Sequence, residues 1–142
     1  MLMLEVKNDS DKRTIYVRIT GTPSTHEMRH WALDDKLATD SYRGRPHLIV
    51  ADMRGLGGLG PEAAAVLGQA IDYGRKRGVR RCAHLSDSSI VRLQTRRLAR
   101  EASRHDQITI DVISVGEAER VMEEDRQHLF AGPVAVKGVA AR

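Results

Sequence analysis

HLIVADMRGLGGLGPEAAAVLGQAIDYGRKRGVRRCAHL, residues 47–85, holds an apolar run, a glycine-rich break, a helical period and a second apolar run. HLIVADM, 47–53, is short and almost continuously apolar, as expected of a strand covered on both faces. RGLGGLG then interrupts the chain. Pro61 falls at the first helical position, with Glu62 in the first turn. Leu67, Ala70, Ile71 and Gly74 recur at helical spacing. Arg75, Lys76 and Arg77 complement the negative end of the helix dipole, and Gly78 stops the helix. VRRCAHL, 79–85, is the next strand. Strand, helix and strand in this order predict a right-handed crossover between parallel strands.

The same reading extends both ways. MLEVKN, 3–8, alternates weakly, DSD turns the chain, and RTIYVRIT, 13–20, alternates cleanly. Ile15, Val17 and Ile19 share one face of that strand, while Tyr16 and Arg18 take the other, so an antiparallel hairpin is predicted. Ser24 and Glu27 make a capping box for a helix over 24–39. Downstream, a helix is predicted over 88–104 with Val91, Leu98 and Ala102 inward, then a strand over ITIDVIS, 108–114. Ser114 and Glu117 cap a last helix that turns Ala118, Val121, Met122 and Leu129 inward. The result is a single α/β domain, 1–130, ordered β-β-α-β-α-β-α-β-α. It has a five-stranded, mostly parallel mixed sheet and four helices. The tail, 131–142, has no periodicity and is expected to be mobile or docked on a neighbour.

Composition narrows the classes. The 142 residues are 41% hydrophobic but only 4% aromatic, so the core must be aliphatic. No apolar run is long enough to span a membrane, and MLMLEVKNDSDKR does not read as a signal peptide. A cytoplasmic location is expected. A single cysteine, Cys82, leaves no intrachain disulfide and no cysteine zinc cluster; it reads as a small core residue. The net charge of +4 comes from 23 basic and 19 acidic residues, which is no nucleic-acid signature by itself. Arg92, Arg96, Arg100 and Arg104 make a basic stripe with Arg97 beside it, read as a solvated face paired with Glu101. No aromatic side chain interleaves with it, so nucleic acid is not an expected partner.

HLIVADMRGL, the glycine-rich loop, PEAAAVLGQAIDYGRKRGV, RRCAHL and VISVGEAERVMEE occur in an order and at a length similar to the STAS domain. That family includes the bacterial anti-sigma-factor antagonists and the SpoIIAA-like proteins. The resemblance covers roughly residues 3–129 and implies a regulatory module that works by binding another protein. In phosphorylated members, the acceptor serine follows the third strand at the start of the second helix. Here that place is GLGGLGPEA, 55–63, which has no Ser, Thr or Tyr. The Asp87-Ser88-Ser89 triplet lies one βα unit later.

Candidate site residues follow from the position of the loops. Partners of open α/β sheets gather at the C-terminal ends of strands. Loops 54–60 and 86–89 both occupy such ends, so Arg54, Gly57, Gly58, Ser86, Asp87, Ser88, Ser89 and Arg92 form the expected binding surface. The glycine loop reads as a tight turn; it matches no phosphate-binding fingerprint. Asp87 or Ser88 has the oxygen needed to cap the next helix. A phosphate on Ser88 or Ser89 would meet the helix dipole and Arg92. His26, Glu27 and His30 spell H-E-x-x-H, the pattern of a zinc hydrolase, with Asp34 or Asp35 as an improvised third ligand.

The leading expectation is therefore a non-enzymatic STAS-like module with a protein partner, no cofactor and no metal. The alternative is a carrier or sensor of a small apolar or lipid ligand held between the sheet and the first helix, where Met28, Trp31 and Ala32 cluster. A zinc hydrolase is the third reading. The apolar first strand offers an edge at which a homodimer is expected.

Overall fold

The structure, a computed structural model, describes residues 2–102 and 107–131. Two strands open the chain, β1 (Met3–Asp9) and β2 (Thr14–Thr20). They are followed by α1 (Thr25–Asp40), β3 (His47–Asp52), α2 (Pro61–Lys76) and β4 (Val79–Leu85). Then come α3 (Ser89–Ala102), β5 (Thr109–Val112) and α4 (Val115–Arg126), which a π-helical turn, Gln127–Ala131, prolongs. This is the expected element order. Residues 103 and 104 of the expected third helix and 132–142 of the tail lie outside the described residues.

The five strands form one sheet in chain order. β1 lies antiparallel to β2 at one edge, and β2, β3, β4 and β5 run parallel. β5 is shorter than predicted. Its pairing with β4 ends at Leu85↔Val112, and the next residue, Ile113, is 89% exposed because no strand continues beside it.

An order that never reverses fixes where the helices go. Each parallel step moves to the next strand in one direction, so right-handed crossovers carry α1, α2 and α3 to one face. There Ile15, Val17, Ile19 and Ala51 pack with Met28, Trp31, Leu67, Val91 and Leu98. α4 covers the other face, where Leu48, Val50, Ala83, Leu85 and Val112 pack with Ala118 and Met122. Full burial of one such aliphatic side chain contributes about 1.5–3 kcal/mol relative to exposure.

The helix ends follow local chemistry. Ser24 and Glu27 form the complete capping box: Glu27 N–H donates to Ser24 Oγ (3.1 Å) and Ser24 N–H to Glu27 Oε1 (2.8 Å). The second box is only half formed. Glu117 N–H donates to Ser114 Oγ (3.0 Å), but the Glu117 carboxylate accepts from Ile113 N–H (2.8 Å) instead of Ser114 N–H. The loss of β5's last residues leaves that Ile113 donor without a strand partner.

α2 stops where the sequence placed its glycine. Gly78 has φ +112°, and a Cβ there would lie 2.4 Å from the Arg45 carbonyl oxygen. Its own carbonyl accepts from His47 N–H (3.0 Å), locking the entry of β4 to the entry of β3. Among the described residues no helix is long and apolar enough to cross a membrane.

Gly78→Ala must both strain φ and displace the 43–45 turn, so it is expected to lower stability by more than about 2 kcal/mol. Urea denaturation measures this. An unchanged midpoint would show that the turn yields without cost.

Candidate functional site

β3 and β4 are parallel neighbours, with Asp52 opposite Leu85, so their C-terminal loops lie side by side. The predicted site residues of the two loops are brought together, and most are bonded to one another. The Asp87 carboxylate accepts from Gly55 N–H through both oxygens (3.1 and 3.2 Å), tying one loop to the other. Arg54 turns back onto Asp52, donating from Nε (2.9 Å) and Nη2 (2.7 Å), and its backbone N–H adds a third bond (3.1 Å). These bonds hold the Asp52 carboxyl below the usual carboxylate range. Arg54 thus reaches the surface as half of an ion pair, not as free charge.

The glycine loop is a braced turn. Gly21 N–H donates to Gly55 O and Gly57 N–H to Gly21 O, both at 2.9 Å, so the loop extends the edge of β2. Leu56 and Leu59 point inward and are buried. Gln94 of α3 clasps Leu59, accepting from its N–H (3.2 Å) and donating to its carbonyl (2.8 Å). The N–H groups of residues 55, 57 and 59 therefore already serve protein acceptors. Gly55 (φ +84°) and Gly58 (φ +92°) allow the left-handed backbone that this path needs.

The Asp87-Ser88-Ser89 triplet divides its tasks. Ser88 is the cap: its Oγ accepts from Val91 N–H (3.3 Å) and its carbonyl from Arg92 N–H (3.0 Å). Asp87 braces the loops instead. Ser86 Oγ accepts from Ser88 N–H (3.2 Å) and donates to Ser88 O (3.1 Å), and Arg92 Nη2 donates to Ser86 O (3.0 Å). Ser89 is exposed at the helix start. The basic stripe is broken up as well: Arg92 is held by Ser86, and Arg96 pairs with Asp111 of β5.

What the surface leaves open is apolar. Ile90 and Leu93 are 73% and 65% exposed on α3, beside Gly58, Leu59 and Arg97. Sequence reasoning passed over them. Their signal was an i, i+3 apolar pair on the face opposite Val91 and Leu98.

A second feature lies inside. A cavity of about 70 Å³ separates the sheet from the helices, walled by Val17, Ile49, Ala51, Leu67 and Ala70. Cys82, half-buried rather than fully in the core, lines it. His84 of β4 does too. Its Nδ1 lies 3.1 Å from Asp111 Oδ1, and its Nε2 faces Met53 Sδ (3.3 Å) and Thr95 Oγ1 (3.5 Å). Burial pushes the His84 pKa down, against the pull of Asp111, so the neutral ring donates Nδ1–H to the carboxylate. Carboxylate, imidazole and hydroxyl stand in the order of a proton relay. The hydroxyl is not free for it: Thr95 Oγ1 donates to Val91 O (3.0 Å) within its own helix. Asp111 is 27 residues from His84 along the chain, out of reach of sequence spacing.

α1 adds two polar groups to the same cavity. Trp31 is 4% exposed and its Nε1–H has no partner among the described residues; Asp35, one turn on, is 6% exposed. Burial alone pushes the Asp35 carboxyl up to about 7. Asp35 is thus turned away from the H-E-x-x-H surface, where it was a candidate third ligand. There His26 and His30 are exposed and meet edge-on with ring centroids 4.8 Å apart, while Glu27 is held in the capping box. Among the described residues no group of three or more His, Cys, Asp or Glu could hold a metal ion.

Ser88→Ala is expected to cost about 1 kcal/mol in chemical denaturation, and Asp87→Ala to loosen hydrogen-exchange protection at Gly55. If Asp87→Ala instead carries the capping loss, the roles are reversed. Asp35 has a sign that can be checked. The unfolded chain releases its proton near 3.8 and the fold only near 7. Stability is complete below 3.8 and is lost as pH rises through about 7. Asp35→Leu should therefore stabilise more at pH 8 than at pH 4, by about 4 kcal/mol on this shift. Equal gains at both pH values would contradict that assignment. Among known proteins, no protein-family model matches the chain and no curated protein matches it.

Proposed function

We propose that the chain is a non-enzymatic, STAS-like regulatory module that binds a protein partner at the C-terminal ends of β3 and β4. The observation that carries this reading is the exposed pair Ile90 and Leu93, set beside Gly58 and Leu59 on loops that are internally bonded. Exposed apolar side chains on a pre-organised frame suit association, because little loop entropy is lost on docking. The ion pair of Asp52 and Arg54 and the exposed Arg97 supply a polar rim. The element order, and the absence of Ser, Thr and Tyr from residues 55–63, support a STAS-like scaffold that does not use the family's serine switch.

Leu93→Asp and Ile90→Asp are expected to abolish capture of partners from native lysate by at least tenfold, with an unchanged thermal melt. Gly58→Trp crowds the same surface, where no atom lies within 4 Å of a Cβ, but it strains a backbone at φ +92°, so its thermal melt is compared alongside. Recovery of the same proteins by all these baits would remove this surface as the interface.

A second reading, a sensor of a small apolar ligand, is supported by the interior cavity. Its volume of about 70 Å³ suits a molecule of a few heavy atoms better than a lipid chain. Native mass spectrometry of the purified chain tests it: a co-purifying small mass supports the reading, and a bare chain counts against it.

A further inference from the structure

We infer that the cavity between the sheet and α1 is a binding site for a small uncharged molecule carrying an adjacent hydrogen-bond donor and acceptor, such as an azole or a primary amide, held by Trp31 and Asp35. The inference rests on the small-ligand reading above and gives that ligand a polar head.

Two buried polar groups carry it. Trp31 Nε1–H, in a side chain 4% exposed, is a donor with no partner among the described residues. Asp35 is 6% exposed and has no hydrogen bond or ion pair among the described residues. A buried polar group without a partner costs about 1–3 kcal/mol, and a buried carboxyl more. An aliphatic pair at these positions of α1 would pack the cavity without that cost. Residues one turn apart share a helix face, and both line this cavity, Asp35 bordering the open groove between α1 and α2 as well.

The donor set defines the ligand. Trp31 can only donate, so the ligand must present an acceptor. Asp35 can accept, so the ligand must also present a donor next to it. One molecule with both, side by side, satisfies the two residues together. The rest of the wall, Val17, Ile49, Leu67 and Ala70, is apolar and calls for a compact hydrocarbon or aromatic body. A cavity of about 70 Å³ limits the ligand to roughly five heavy atoms, given about 10–15 Å³ of such space for one water. Cations fit less well, because Arg75 also lines the space and the Trp31 donor would remain unmet.

Trp31 is the only tryptophan of the chain, so its indole N–H gives one unmistakable resonance in a proton–nitrogen correlation spectrum. Pyrazole and benzene serve as probes, titrated into native protein, Asp35→Leu and Ala70→Leu. Pyrazole should shift the indole signal saturably in native protein. It should bind Asp35→Leu at least about tenfold more weakly, as expected for loss of one buried hydrogen-bond partner. Ala70→Leu, which leaves both polar groups in place and fills the wall, should abolish the shift. No saturable pyrazole shift in native protein overturns the proposal, and so does equal pyrazole affinity for native protein and Asp35→Leu. Benzene separates the two ideas. Benzene binding without pyrazole binding leaves the small apolar ligand standing and removes the polar head. Binding of neither probe removes both.

Discussion

Consecutive residues of β3 face opposite ways, so Leu48 and Val50 need one cover while Ile49 and Ala51 need another. A central strand of this kind admits no solvent-facing side. The connections on either side of it are parallel crossovers, and their common hand sends α1, α2 and α3 to the same face. The opposite face is covered by α4, which follows β5. The positions of the loops follow. The chain leaves β3 and β4 at the same end of the sheet, and Asp87 and Gly55 become neighbours although 32 residues apart in sequence.

The two faces are packed differently. On the α4 face, small and medium aliphatic side chains meet one amphipathic helix, and Ala83, Ala118 and Met122 are fully buried. On the other face three helices must share four parallel strands. With 4% aromatic residues the chain has few large side chains to fill the angles between them. The cavity lies at that junction, and it is there that Asp35, His84 and Trp31 are buried. Each is costly in an apolar setting. His84 recovers part of that cost from Asp111, while among the described residues Asp35 and the Trp31 donor have no such partner. The loop end shows the reverse design. Its polar groups are nearly all consumed within the protein, and its apolar Ile90 and Leu93 face solvent.

Much of what depends on neighbours along the chain was legible beforehand. The alternation of Ile15, Val17 and Ile19, the stop at Gly78 and the capping box at Ser24 each involve residues within a few positions. Such signals act through backbone geometry and one-turn contacts, which sequence spacing encodes directly. The same closeness misled at Asp35. Read by spacing alone, it was a possible companion of His26 and His30 on an exposed face; the helix rotation set by Met28 and Trp31 turns it inward. The arginine repeat was legible only in part: Asp111 on β5 lies across from Arg96, beyond any spacing along the helix.

The sequence by itself determined the order of elements, the parallel character of the sheet, the aliphatic core and most helix ends. Periodicity and capping are short-range, and hydrophobic burial needs only the right face. The tertiary structure alone decided which polar groups find partners. Asp87 reaches Gly55, His84 reaches Asp111, and Gln94 reaches Leu59 because sheet order brings loops and helices together over separations of 27 to 35 residues. It also decided which do not, leaving Asp35 and the Trp31 donor in a cavity whose walls come from strands and helices far apart in the chain. Hydrogen-bond satisfaction is a matter of a few tenths of an ångström and of direction, and residue spacing carries neither.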